Sequence, residues 1–233
     1  WRNLNDSFEA WAWRKRLSRR LAELERQKLI ECHPEPNLDR IVRLTQAGRR
    51  LALGGRDPVA QWIRPWDGRW RLILYDVPLD CAKLRQRFRR TLRQNHFGYL
   101  QGSVWVSPDP ADHLRSLLRE SKVQSDAFLV IEGRPAAGES DQEIIEGAWD
   151  FPLIQRRYER YLGFLKRTPP ADSRLPEWAR VEHTIWTNAV QTDPLLPQAL
   201  LPKGYLGITA LRRRKTVFAH LARLAVPRAA NSV

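Results

Sequence analysis

The 233-residue sequence has no methionine and only two cysteines, and no apolar run in it approaches the roughly 18 residues needed to cross a bilayer. Cys32 and Cys81 are too few for a disulfide framework, and no CxxC pair or neighbouring histidine pair points to zinc. Both read as reduced, structural thiols. The opening WRNLNDSFEAW lacks the apolar core of a secretory signal, so a cytoplasmic location without membrane association is expected. Trp1 comes first and methionine is missing throughout, which sets the expectation that the natural start and some upstream structure lie outside this sequence. His33, His96, His113, His183 and His220 are scattered without metal-ligand spacing, and neither a GxSxG elbow nor a Walker-type glycine loop occurs. An enzyme is therefore not expected, and neither is a cofactor or a metal.

What is abundant is positive charge. Forty Lys and Arg face 26 Asp and Glu, a formal +14, and the isoelectric point near 10.6 favours a polyanionic partner. With 42% apolar and 28% charged residues the chain reads as globular, of one to two domains at ordinary domain sizes.

The loop GGRDP at Gly54 and the polar stretch from Arg134 to Glu143 divide the chain into three blocks. In the first, Leu17, Leu21 and Leu24 share a helical face while Arg14, Lys15, Arg16, Arg19 and Arg20 lie around the others. That helix ends near Lys28, Leu29 and Ile30 begin a strand, and the chain turns through CHPEPNLD before Ile41, Val42 and Leu44 return; Thr45 then caps TQAGRRLAL. Helix, two-stranded wing and helix are what remains of a winged helix-turn-helix whose earlier helices are missing or only partly present.

The second block alternates Trp70, Leu72 and Leu74 with Arg71, Ile73 and Tyr75 in a strand ended by Asp76. A helix follows with the stripe Cys81, Leu84, Phe88 and Leu92, and Gly98 is its expected C-terminal stop. Strand residues flank Gly102, a second helix uses Leu114, Leu117 and Leu118, and AFLVIEG closes the block, giving the β-α-β-β-α-β order of a ferredoxin-like unit. The third block is helical: Ile154, Tyr158, Tyr161, Leu162 and Leu165, then Trp178, Val181, Ile185 and Ala189, then the connection DPLLPQALLPKGY, then Leu211, Val217, Phe218 and Leu221. The expected fold is α+β, with a winged-helix domain over 1–58, a ferredoxin-like domain over 66–133 and a helical domain over 144–226.

Three runs, WDGRWRLILYDVPLD from Trp66, FGYLQGSVWVSP from Phe97 and DPLLPQALLP from Asp193, are similar in that order to the PaaX-like transcriptional regulators, the phenylacetate-degradation repressors. The resemblance covers nearly the whole chain. It implies an N-terminal winged helix, a ferredoxin-like centre, a helical C-terminal domain, a homodimer, and repression of a catabolic operon until an acyl-CoA or aryl-CoA effector releases it. The central block also resembles the small CRISPR spacer-acquisition protein, which implies a metal-dependent nuclease role for the aspartate ending the first strand, here Asp76.

Arg14, Lys15, Arg16, Ser18, Arg19 and Arg20 are the expected contacts to double-stranded operator DNA, because a helix fits the major groove and arginine pairs with guanine in two bonds. Charge runs are more often solvated faces, but the wing that follows this one favours DNA. Arg40 and Arg43 add backbone contacts or are ordinary surface charge. Arg85, Arg89 and Arg93 are expected to offer charge for the phosphates of a CoA effector, while Trp149, Tyr158 and Trp186 offer apolar surface for its acyl or aryl group; buried aromatics and solvated arginines are the equal alternative. Trp70, Trp105 and Trp186 sit in periodic apolar patterns that predict core. Asp76 alone is a poor metal site, Asp80 being the nearest carboxylate, and a turn cap is the expected role. The competing readings are a nuclease built on the central block and a non-specific basic scaffold.

Overall fold

The computed structural model describes residues 18–35, 38–75, 82–110, 112, 128–170 and 174–225. The chain forms two compact units divided between Asp57 and Pro58, and its class is mixed α+β. Asp76, Cys81, Leu114, Leu117 and Leu118 lie outside the described residues, as do Arg14, Lys15, Arg16 and Leu17.

In the first unit, helix α1 (18–26) leads into an antiparallel ribbon of β1 (Ile30–Glu35) and β2 (Leu38–Leu44), followed by α2 (Gln46–Ala52). The ribbon is longer than its prolines suggest. β1 continues through Pro34, where the register shifts between His33 and Glu35. A bulge tolerates a residue without an N–H. Thr45 is the N-cap of α2 as its sequence predicts.

The second unit opens with α3 (Pro58–Trp62) and contains β3 (Trp70–Tyr75), α4 (Ala82–Gln94), β4 (Gly98–Gln101), β5 (Val104–Ser107) and β6 (Phe128–Gly133). The four strands form one sheet in the order β4-β5-β3-β6, with every neighbouring pair antiparallel. One sheet face carries Ile73, Tyr75 and Trp105, which pack with Phe88 and Leu92 of α4 and with Phe97. Burying Phe88 and Leu92 completely contributes about 1.5 to 3 kcal/mol each. Gly98 is not the helix stop. His96 takes the left-handed position at φ 63°, with Phe97 N–H bonded to Leu92 C=O and His96 N–H to Arg93 C=O. Gly98 starts β4 instead, and glycine is required there because a Cβ would lie 2.6 Å from the Ala148 Cβ and 2.8 Å from the Trp149 ring.

That close approach comes from α5 (Asp141–Ala148), which crosses the other sheet face at β4. α5 begins inside the polar stretch that the composition marks as a divider. Its signal is the capping box Ser140-Asp-Gln-Glu143, with both reciprocal bonds formed. The remaining helices are α6 (Phe151–Phe164), α7 (Leu175–Thr192) and α8 (Gly207–Ala225), with a 3₁₀ turn at Gln198–Leu200 between the last two. α6 buries Ile154, Tyr158 and Tyr161, and its C-cap Leu165 is buried too, as the periodicity predicts, whereas Leu162 of the same stripe is only half-buried. The stripe of α7 is shifted by one position. Glu182, Trp186, Ala189 and Val190 are buried, whereas Trp178, Val181 and Ile185 are only half-buried. Among the described residues no helix is long and apolar enough to cross a membrane.

Candidate functional site

The first unit is held together at one joint. α1 ends on Lys28 at φ 56°, with Leu29 N–H bonded to Leu24 C=O and Lys28 N–H to Glu25 C=O. The Thr45 hydroxyl donates to Lys28 C=O at 2.7 Å and accepts from Gly48 N–H at 3.0 Å, while Thr45 N–H bonds to Leu29 C=O at 3.1 Å. The exit of α1, the base of the ribbon and the entry of α2 therefore share one hydrogen-bonded residue. Gly48 seats α2 against this base, since a Cβ there would come 1.9 Å from the Leu29 carbonyl oxygen.

On this frame Ser18, Arg19 and Arg20 are exposed on α1, and Arg43 is exposed on β2 with Glu31 as its register partner. Arg40 also lies on β2. The sequence reading missed Arg49 and Arg50, both exposed on α2. Their signal was present, because they follow directly on the one residue of α2 that turns fully inward, Gly48. Arg50 spends its Nε on Gly55 C=O at 2.8 Å.

In the second unit the turn before β3 is organised around a buried cation. Arg71, 4% exposed, is bonded to both carboxylate oxygens of Asp67 at 2.9 and 2.5 Å and to Glu132 at 3.2 Å. The Arg71 guanidinium holds the Asp67 carboxyl below its ordinary range. In the run from Asp193, the carboxylate of Asp193 is fully buried, accepts from Tyr158 OH at 2.6 Å, from Leu195 N–H at 2.9 Å and also from Tyr205 OH. Leu195 takes φ 51°, and its carbonyl accepts from Arg64, whose Nε reaches Asp109 at 2.8 Å. These two runs are structural joints.

Residues 63–145 match the family described as the PaaX protein central Cas2-like domain. Over 184 residues the sequence is 29% identical to the transcriptional repressor PaaX of Escherichia coli (strain K12), an alignment covering 72% of this chain. The chain resembles PaaX, at its central domain and along most of its length. It spans 56% of the length of that curated relative. Among solved structures it is similar to the uncharacterized protein Rv0674 from Mycobacterium tuberculosis, with TM-score 0.56 at 19% identity, covering 90% of this chain and 82% of that one. At that identity the likeness concerns the fold alone.

The chain distributes the six residues expected at an effector over three neighbourhoods. Arg85 is half-buried on α4, Arg89 donates to Tyr75 OH at 2.7 Å, and Arg93 lies over the Trp105 ring at 5.9 Å. Trp149 donates its indole N–H to His96 C=O at 3.1 Å and packs beside Trp70. Tyr158 and Trp186 are both 0% exposed in the core of the helical part, which leaves them no surface to offer a ligand in this conformation. Trp70 and Trp105 are core as well, as their periodicity predicts. Trp186 is flanked by Tyr161 at 5.1 Å and by the Arg214 guanidinium at 5.1 Å. Arg214 in turn forms a two-bond pair with Glu182, at 2.7 and 3.2 Å, and Tyr161 OH donates to the same carboxylate.

A separate groove of about 510 Å³ runs along the seam of α6 and α7. Arg157 and Arg160 line it from α6, and Arg180, Val181, Thr184 and Ile185 from α7. Among the described residues no three His, Cys, Asp or Glu side chains are grouped to hold a metal ion.

Proposed function

We propose that the chain is a DNA-binding transcriptional repressor of a catabolic operon, acting in the cytoplasm as a homodimer and released by an acyl-CoA or aryl-CoA effector. The observation that carries the reading is the exposed basic helix–ribbon–helix of the first unit, in a chain whose similarity to a transcriptional repressor covers 72% of its length. Arg19, Arg20, Arg43 and Arg49 are exposed on elements that the Thr45 joint fixes relative to one another. Helix, two-stranded ribbon and helix in that order support a winged-helix reading of residues 1–58. The antiparallel order β4-β5-β3-β6 supports a ferredoxin-like reading of 66–133, with 144–226 as its helical companion. A dimer suits the function, because a two-fold protein reads paired half-sites and adds their free energies.

The test is binding of a fluorescent promoter fragment, taken from beside the protein's own gene, in competition with unrelated DNA and at several salt concentrations. Unrelated DNA should compete poorly, and log affinity should fall against log salt with a slope of about −0.9 per neutralised phosphate. Arg19→Ala should cost specific binding roughly 1 to 3 kcal/mol through a lost base contact, whereas Arg43→Ala should weaken specific and non-specific binding alike. Equal losses at both positions would reduce Arg19 to a phosphate contact. A flat salt response would remove the electrostatic argument from net charge, equal competition by any DNA would replace the repressor reading with a basic scaffold, and fragment cleavage on adding a divalent metal would favour the nuclease.

A further inference from the structure

We infer that the groove between α6 and α7 is a binding site for a small organic anion, one carrying carboxylate or phosphate groups on an apolar body. The inference rests on the proposed function only for its consequence on DNA; the binding itself stands on the geometry.

Three arginines line the groove, and each is held differently. Arg157 is pinned to the far wall by bonds to Asn188 C=O at 2.6 Å and to the Thr192 hydroxyl. Arg180 is oriented by a two-bond contact with Glu177, at 2.7 and 3.0 Å, and lowers the Glu177 carboxyl below its ordinary range. Arg160 is exposed, and among the described residues no carboxylate meets it. The groove thus sets three cations against the one carboxylate of Glu177. Two of the cations are already ordered, so a ligand anion would bind without bearing the whole entropy of fixing them.

Two apolar side chains also line the groove. Val181 and Ile185 are spaced i, i+4 and have the periodicity of core residues, yet they are only half-buried because the more deeply buried stripe of α7 lies one residue further on. From Arg180 to Asn188 the α7 wall runs about 12 Å at 1.5 Å per residue, and the volume of about 510 Å³ lies within the ordinary range of small-molecule pockets. A DNA backbone would satisfy the arginines and leave Val181 and Ile185 uncovered. A molecule with an anionic end and an aryl or alkyl body satisfies both.

Two sources share that chemistry, a CoA thioester and a free aryl or alkyl carboxylate. The experiment measures binding of an aryl-CoA thioester, the matching free carboxylate and CoA alone by calorimetry and thermal shift. The proteins are the unaltered chain, Arg160→Glu, Thr184→Trp, and Arg156→Glu as a control on the same helix outside the groove. Arg160 and Thr184 are exposed, so both variants should keep the fold, which their circular dichroism checks. The thioester or the carboxylate should bind the unaltered chain. Arg160→Glu should weaken it by at least about tenfold, the usual value of one charge-assisted contact. Thr184→Trp should abolish it by filling the groove, and Arg156→Glu should change nothing. Failure of both ligands to bind, binding that survives both groove substitutions, or CoA alone binding as tightly as its thioester would overturn the inference. Promoter binding without ligand is measured on the same proteins, so a chain that takes the ligand but ignores DNA would keep the groove and lose the repressor.

Discussion

Glu182 is 1% exposed, and its charge is tolerable there because Arg214 and Tyr161 donate to it from neighbouring helices. Removing one member of such a pair leaves an uncompensated buried charge, whereas removing both leaves a hole of apolar shape. Arg214→Met is therefore expected to lower stability by about 3 to 5 kcal/mol, and Glu182→Leu combined with Arg214→Met to recover most of the loss. Urea unfolding of the unaltered chain, Arg214→Met, Glu182→Leu and the double variant checks this; additive losses would mean that the two side chains stabilise the fold independently. At this scale the sequence was only partly legible. Glu182 and Arg71 look like surface charges in a chain rich in them; Asp67 lies only four residues from Arg71, but Glu132 is 61 residues from it and Arg214 is 32 from Glu182. Tyr158 and Trp186 show the same difficulty: their spacing identifies apolar residues without saying whether a ligand or the chain itself covers them.

Among the elements, the joint at Thr45 shows how a local signal and a tertiary requirement combine. The Ser/Thr cap is visible in the sequence, but the bond from its hydroxyl to Lys28 exists only because α1 ends beside the entry of α2. Thr45→Ala should cost about 1 kcal/mol as a lost cap. Gly48→Ala should cost more, about 1 to 3 kcal/mol, since the new methyl group meets backbone at 1.9 Å and α2 must shift to admit it. Hydrogen exchange at the amides of Glu31, Arg43 and Thr45, which face the opposite strand, should report both as lost protection of the ribbon; unaltered exchange in Gly48→Ala would show that α2 does not rest on Leu29. The displaced stripe of α7 has a similar origin. Helical periodicity permits more than one face, and packing against α6 and α8 selected the one holding Glu182 and Trp186, which left Val181 and Ile185 for the groove. Gly98 likewise reads as a helix stop until α5 is laid against it.

For the whole molecule, buried phenols couple stability to pH on the alkaline side. Burial pushes the Tyr158, Tyr161 and Tyr205 hydroxyls well above their ordinary value of 10.0, with the Asp193 and Glu182 carboxylates acting in the same direction. Their folded values are raised, so this stability is complete below pH 10.0 and is lost as the unfolded chain ionises above it. Each such group adds about 1.4 kcal/mol per pH unit to the slope. Urea midpoints should therefore fall steeply above pH 10.0, and Tyr205→Phe should start lower but fall less steeply; an unchanged slope would mean that Tyr205 ionises within the fold. By itself the sequence determined the charge, the order of strands β1 to β6, the Thr45 cap and the three runs that carry the resemblance to PaaX, because composition, periodicity and capping are properties of neighbouring residues. Only the tertiary structure decided that Glu182 and Arg71 are buried pairs, that Gly98 is a packing glycine, that Tyr158 and Trp186 are core, and that three arginines from two helices share one groove. The physical reason is that burial and charge pairing depend on distances in space, set by residues far apart in the chain.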